Sequence, residues 1–427
     1  MQEERPRGSL LDEPRAGPRI DPVDFAEGTD RGVSSRERDR LQIWKLVALN
    51  FATFLAGLND AATGALIPYI RSSYDVGLLF VALVYLLNFG GWMVAAFTNV
   101  YITARAGVGG VLCVGAAATL LAYCLDVWRP PFPLFAASYF FSGLGIAYMD
   151  AQANSHVAGL DNAHRWLGVL HCVYGVGALV SPLAATALAT KTPYWHYYYL
   201  VLLGAAVANL ALLTWSFRQT LFSADAGTSR GSPGRRLQDA LSQKTVWVLS
   251  LFFFLYVGAE VTAGGWVVEF LISVRKGSPS RVGYVASGFW GGLALGRLVL
   301  ADITHRLGDK RMISIYIVVG LGMQLLFWFV PNVVANAVAV SLLGFIIAPF
   351  FPVGISVLTR LLPADLHVAS VGFSSTIGQA GSAAFPFLTG AIASKAGVMV
   401  LQPVMVSLLG GMLLLWCLVP KIRKPTD

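Results

Sequence analysis

Hydrophobic positions dominate this chain from Ile43 almost to its C-terminus, broken at intervals by short polar or Pro/Gly-rich stretches. Many of the runs between those breaks exceed the roughly 20 residues needed to cross a hydrocarbon core about 30 Å thick. They predict about twelve helices, at 43–70, 77–101, 107–126, 132–159, 165–190, 195–217, 245–274, 281–302, 311–330, 332–360, 367–394 and 397–420. The longest break, 218–244, holds SADAGTSRGSPGRR and divides the set six and six. This predicts a bundle over 43–217, a cytoplasmic linker, and a second bundle over 245–420. Residues 1–42 lack the apolar core of a signal peptide and read as a disordered cytoplasmic tail, with 421–427 as a second short tail.

The two halves resemble one another. A shift of 200 residues lays FLAGLNDAATG over FLYVGAEVTAG, matching Phe54, Leu55 and Gly64 to Phe254, Leu255 and Gly264, and Asp60 to Glu260. A shift of 201 pairs Ile102, Thr103, Arg105 and Gly107 with Ile303, Thr304, Arg306 and Gly308. A shift of 204 pairs Gly168, Gly177 and Pro182 with Gly372, Gly381 and Pro386. Three matches in the same order imply two parallel repeats related by an axis along the membrane normal, as in one large class of transporters.

Composition supports a membrane protein: 56% of the 427 residues are hydrophobic and 13% are charged, about half the charge of a soluble domain. The net charge of +8 lies in connecting segments rather than in a groove with interleaved aromatics, so it orients the chain and does not bind nucleic acid. Short loops richer in Arg and Lys fall on the side of both termini, which places the termini in the cytoplasm; VRKGSPSR runs against that trend. Cys113, Cys124, Cys172 and Cys417 lie inside apolar segments without a C-x-x-C pair, which argues against a disulfide framework or a metal site. There is no P-loop, dinucleotide fingerprint, H-E-x-x-H or G-x-S-x-G, so neither an enzyme nor a cofactor is expected.

Candidate chemistry lies in the polar residues within the apolar runs. A charge at the bilayer centre costs at least about 2.5–3.5 kcal/mol, so intramembrane carboxylates default to function. Asp60, Asp150 and Glu260 stand out. Desolvation favours the protonated form of a carboxylate, which suits such groups to couple transport to protons. The alternative is a carboxylate locked in a pair that serves packing. Glu269, near the end of its helix, reads as interfacial. Asp150 and Asn154 share a helix face, either holding solute hydroxyls with Asn59 or tying helices together. His171 and Tyr174 also share a face, and with Gln379 are candidate solute contacts or interhelical hydrogen bonds. Trp266 offers either a ring for sugar stacking or an interfacial anchor. Arg297 reads as near the inner face, snorkelling or paired with Asp302. It belongs with Arg105, Asp302 and Arg306 to a candidate gating set, against which stands a plain solvated loop. Phe350 and Phe351, flanked by Pro349 and Pro352, form either an apolar gate or helix packing.

The chain resembles the major facilitator superfamily over roughly 43–420. RLGDKR is similar to that family's R-x-G-[RK]-[RK] loop, although His305 replaces its Asp, and NVYITARAGVGG retains only Arg105 and Gly107. GLNDAATGALIPYI, DAQAN and LHCVYGVGALVSP resemble the fucose-permease-like (fucose:proton symporter) group, in particular its fungal members. The resemblance implies an all-α fold of twelve helices in two six-helix bundles. It further implies acidic proton-coupling and sugar-binding positions in helices 1 and 4, filled here by Asp60 and Asp150. The expectation is a secondary transporter, a monomer in the bilayer of the plasma membrane, that moves a small hydroxylated solute with protons by alternating access. The alternatives are a proton-driven exporter of hydrophobic or secondary metabolites, and a non-transporting receptor or scaffold.

Overall fold

The computed structural model describes residues 35–160, 163–221, 238–363 and 366–420, and every regular element among them is helical. Helix α1 spans Ser35–Tyr74. A continuous run over Leu78–Asp126 bends at Gly107, whose φ of 69° disfavours other residues, and the bend separates α2 from α3. Then follow α4 (Phe132–Ala158), α5 (Ala163–Lys191) and α6 (Tyr198–Ser216). The second half holds α7 (Lys244–Ser273), α8 (Val285–Leu307) and α9 (Asp309–Phe329). In α10 the segments Val333–Ile347 and Phe350–Leu361 are broken at Pro349, and α11 (His367–Ala396) and α12 (Leu401–Leu418) complete the chain. Ten of these helices are long and apolar enough to cross a membrane, and α8 and α11, of 23 and 30 residues, bring the set to twelve among the described residues. The expected positions of all twelve hold, but α1 starts ahead of residue 43. Most of the expected tail (1–34), most of the linker (222–237) and the C-terminal tail (421–427) lie outside the described residues.

The duplication inferred from sequence recurs in the packing. A Cβ at Gly177 of α5 would overlap the Phe54 carbonyl of α1, and a Cβ at Gly381 of α11 would overlap the Phe254 carbonyl of α7. Likewise Gly143 of α4 sits on the Asn88 carbonyl of α2, and Gly344 of α10 on the Phe289 carbonyl of α8. Each contact in one half has its copy about 200 residues later. Small residues at these points let backbones meet, which in lipid replaces the missing hydrophobic drive for helix association.

The halves meet through α1 and α7, α2 and α11, and α5 and α8. Gly64 lies against the Gly264 carbonyl, so two matched residues touch each other; that is the expected geometry at a pseudo-twofold axis. Ala82 meets Gly390 beside Trp266, and Thr186 meets Gly283. The Arg71 guanidinium of α1 pairs with the Glu269 carboxylate of α7, which also accepts from Ser273 Oγ at 2.8 Å. These contacts between halves lie from mid-helix to the end remote from the termini. On the terminal side, Gly168 of α5 and Gly372 of α11 are exposed, and an added Cβ there would meet open space. The contacts that join the halves here thus lie from mid-helix to the far end. Glu269, expected at the interface with lipid headgroups, is instead a buried member of an ion pair between halves.

Candidate functional site

Asp60 lies midway along α1, four residues before the Gly64 contact on the pseudo-twofold axis. Its Oδ1 accepts from Asn59 Nδ2 at 3.0 Å, and its Oδ2 accepts from the Tyr174 hydroxyl at 3.0 Å. Glycines explain how α5 comes close enough: Gly57 faces the Tyr174 carbonyl, and Gly177 sits on the Phe54 carbonyl one turn further. Both partners of Asp60 are neutral.

Its counterpart Glu260 has a different environment. The carboxylate is 8% exposed and receives Arg297 Nη2 from α8 at 3.3 Å to Oε1 and 3.5 Å to Oε2. Tyr256, one turn before Glu260, is within electrostatic reach of the same pair. Arg297 is thus not at the inner face: its side chain is 15% exposed and its partner is a carboxylate on another helix. The physical reason is the cost of an isolated buried charge, which a buried Glu and a buried Arg relieve together. The side chain of Asp302, the partner expected for Arg297, lies outside the described residues.

Tyr174 stands within electrostatic reach of Glu260 and Arg297 as well as bonding Asp60, so it faces both halves. His171, half-buried one turn earlier on α5, is within electrostatic reach of Arg297. Asp150 on α4 is within electrostatic reach of Asp60, and its Oδ1 accepts from Asn154 Nδ2 at 2.9 Å. The shared face expected for these two is therefore partly closed on itself. Asp150 also lines a small cleft with Ala52, Thr53, Ala56, Ile146 and Met149, between α1 and α4. The structure thus gathers Asn59, Asp60, Asp150, Asn154, His171 and Tyr174 of the first half with Glu260 and Arg297 of the second.

The remaining candidates fall elsewhere. Trp266 is fully buried and donates Nε1–H to the Pro386 carbonyl at 3.1 Å, which excludes both a stacking face and an interfacial anchor. It packs where α7, α11 and α2 meet. Gln379 is half-buried on α11, with Ser382 Oγ donating to its Oε1 at 3.4 Å and to its carbonyl at 2.7 Å. Arg105 is exposed over the Tyr101 ring at 4.2 Å, and Arg306 is exposed at the end of α8. Phe350 and Phe351 pack on Phe252 and Phe253, which supports helix packing rather than a gate. Near Arg306 the ionic contact is Asp309 with Arg360, a pair not foreseen from the sequence. Tyr256, Arg71 and Asp126 were also missed; only Tyr256, four residues before Glu260, had a signal in its spacing.

A family model described as Major Facilitator Superfamily matches residues 49–276, over half of the sequence. The chain belongs to this superfamily. It is therefore an integral multi-pass membrane transporter of small solutes and not an enzyme. It is 25% identical over 404 residues to Bypass of stop codon protein 6 of Saccharomyces cerevisiae, covering 86% of this chain and 80% of that protein. It is 19% identical over 336 residues to the glucose/mannose transporter GlcP of Bacillus subtilis, covering 76% of this chain and 83% of that protein. The crystal structure of the E. coli fucose:proton symporter FucP superposes with a TM-score of 0.62 at 15% identity, covering 90% of this chain and 99% of that one.

Proposed function

We propose that this chain is a proton-coupled symporter of a small hydroxylated solute, such as a sugar, and a member of the fucose-permease-like group. The observation that carries the reading is the unequal environment of two matched acids. Glu260 is neutralised by Arg297, whereas Asp60 is held by an amide and a phenol. A half-buried carboxylate with only neutral partners is the group whose charge changes most readily with the solvent it faces. Asp60 is accordingly the proton-coupling residue, with Asp150 beside it; Glu260 fixes Arg297 in the cavity wall.

Asn59, Asn154, His171 and Tyr174 supply donors and acceptors for solute hydroxyls around Asp60. Protonation of Asp60 removes a charge from the centre of the interface between halves, which permits them to close around the loaded site. With both termini in the cytoplasm, contacts between halves at the far end suit an inward-open state. The solute leaves, Asp60 releases its proton, and the halves rock back. Arg105 and Arg306, exposed at the near ends of α2 and α8, are the groups available to meet partners when that side closes. Plasma membrane and monomer are the expected setting. The glucose/mannose and fucose substrates named for GlcP and FucP favour a sugar over a hydrophobic solute.

The test is uptake into vesicles containing the purified chain. A thermal-shift screen against sugars and polyols first selects the solute, since a ligand of the folded state raises its apparent stability. A pH gradient should then drive accumulation by the wild type and not by Asp60→Asn. Equal accumulation by both would refute the assignment.

A further inference from the structure

Another buried carboxylate lies outside the site just described. Asp126 is the last residue of α3, at the end of the first half remote from the termini, yet it is only 3% exposed. Its Oδ1 accepts from Ser138 Oγ at 2.7 Å. At the same end of the bundle, rings of Tyr74, Phe135 and Trp195, from α1, α4 and the turn before α6, pack edge and face against one another. The titratable or charged groups facing it are Tyr74, Tyr123, Tyr139 and Tyr199, with Arg129 over the Tyr74 ring and His196 bonded to the Val127 carbonyl.

Three hydroxyls form a short series in the bundle that carries Asp126 and Asp60. The Tyr199 and Tyr139 hydroxyls are 3.1 Å apart, and that of Tyr139 is 3.4 Å from Thr63 Oγ1. Thr63 is one helical turn from Asp60, on the same face of α1. Tyr139 and Tyr123 each stand within electrostatic reach of both carboxylates. The Tyr123 side chain is fully buried, and its hydroxyl makes no hydrogen bond to the protein. A buried polar atom without a protein partner calls for one.

We propose that Asp126, Tyr139, Tyr123 and Thr63 form a proton relay inside the first bundle. It would carry protons between the far face of the membrane and Asp60 without passing through the solute cavity. A proton enters at the Asp126 carboxylate. Each hydroxyl along the series accepts a proton on its oxygen as it gives up its own, and Asp60 takes the last one. Only the two carboxylates change protonation state, so the sequence balances without a co-reactant. The arrangement suits the described state, because contacts between halves close the direct route from the far face to Asp60.

This inference rests on the symport reading, and the experiment separates the two. Fucose and glucose are each added to vesicles carrying the full chain and a luminal pH dye, and exchange of labelled sugar is followed in parallel. Sugar-driven acidification of the lumen by the wild type, abolished by Asp60→Asn, supports symport. If the wild type acidifies the lumen with neither sugar, the symport reading fails and takes the relay with it. Given wild-type coupling, Asp126→Asn and Tyr139→Phe should each lower acidification by roughly tenfold or more, a typical loss for a missing proton-transfer group, while sugar exchange continues. A purely structural role for these residues would reduce acidification and exchange together. Tyr139→Phe keeps the buried ring and removes only the hydroxyl, so it decides the matter if Asp126→Asn does not fold. Acidification and exchange in the wild-type ratio in Tyr139→Phe, or in a folded Asp126→Asn, would overturn the relay.

Discussion

Replacing Arg71 by Gln leaves the Glu269 carboxylate, 2% exposed, without its cation and with Ser273 Oγ as a neutral donor. Removing one partner of a buried pair costs about 3–5 kcal/mol. The Arg71 side chain is 33% exposed, so water already screens part of the interaction, and about 2 kcal/mol is the better figure. Because the pair joins α1 to α7 at the far end, the loss falls on the state in which that end is closed. At about 1.4 kcal/mol per tenfold, the balance between far-end-closed and far-end-open states should shift roughly 30-fold. The shift can be read as a distance distribution between spin labels at Tyr194→Cys and Met399→Cys. Both positions are exposed, in the far-end turns of the first and second halves, and the four native cysteines would be replaced first. Arg71→Gln should populate longer distances. The double variant Arg71→Gln/Glu269→Gln, with no buried charge left unpaired, should recover much of the closed state. An unchanged distribution in Arg71→Gln would refute the assignment of this pair as the far-end latch.

Two further outcomes follow from the site. Arg297→Gln strands Glu260 and should destabilise the protein by about 3–5 kcal/mol, visible as a lower thermal midpoint; adding Glu260→Gln should restore most of it. Trp266→Phe removes the donor to the Pro386 carbonyl and should cost about 1–3 kcal/mol of stability; the solute concentration giving half-maximal thermal shift should be unchanged, whereas a stacking role would raise it.

Much of the architecture was legible in the sequence because the bilayer imposes one length on every span, so polar breaks mark both the number and the limits of helices. The repeat was legible for a different reason. Glycines such as Gly177 and Gly381 occupy contacts where a side chain would collide with a backbone carbonyl, and such positions tolerate little change after duplication. Pairing was much less legible. Arg297 and Glu260 lie 37 residues apart on different helices, and Arg71 and Glu269 lie 198 apart. Reading along one helix offers Asp302 as the nearest acid to Arg297 and has no means of weighing Glu260. Trp266 and Asp126 were misread or missed for a related reason. In a helix apolar on all sides, periodicity does not tell the face toward neighbours from the face toward lipid. Asp126, next to the polar break VWRPP, looks like a loop residue until the fold buries it and brings Ser138 of α4 to its carboxylate.

The central claim is that Asp60 is the group whose protonation drives solute movement. Its most direct test is solute accumulation in vesicles under an imposed pH gradient, wild type against Asp60→Asn, with the solute selected by thermal shift. The account predicts gradient-dependent accumulation by the wild type and none by a folded, solute-binding Asp60→Asn protein. Accumulation by that variant to the wild-type level would contradict it.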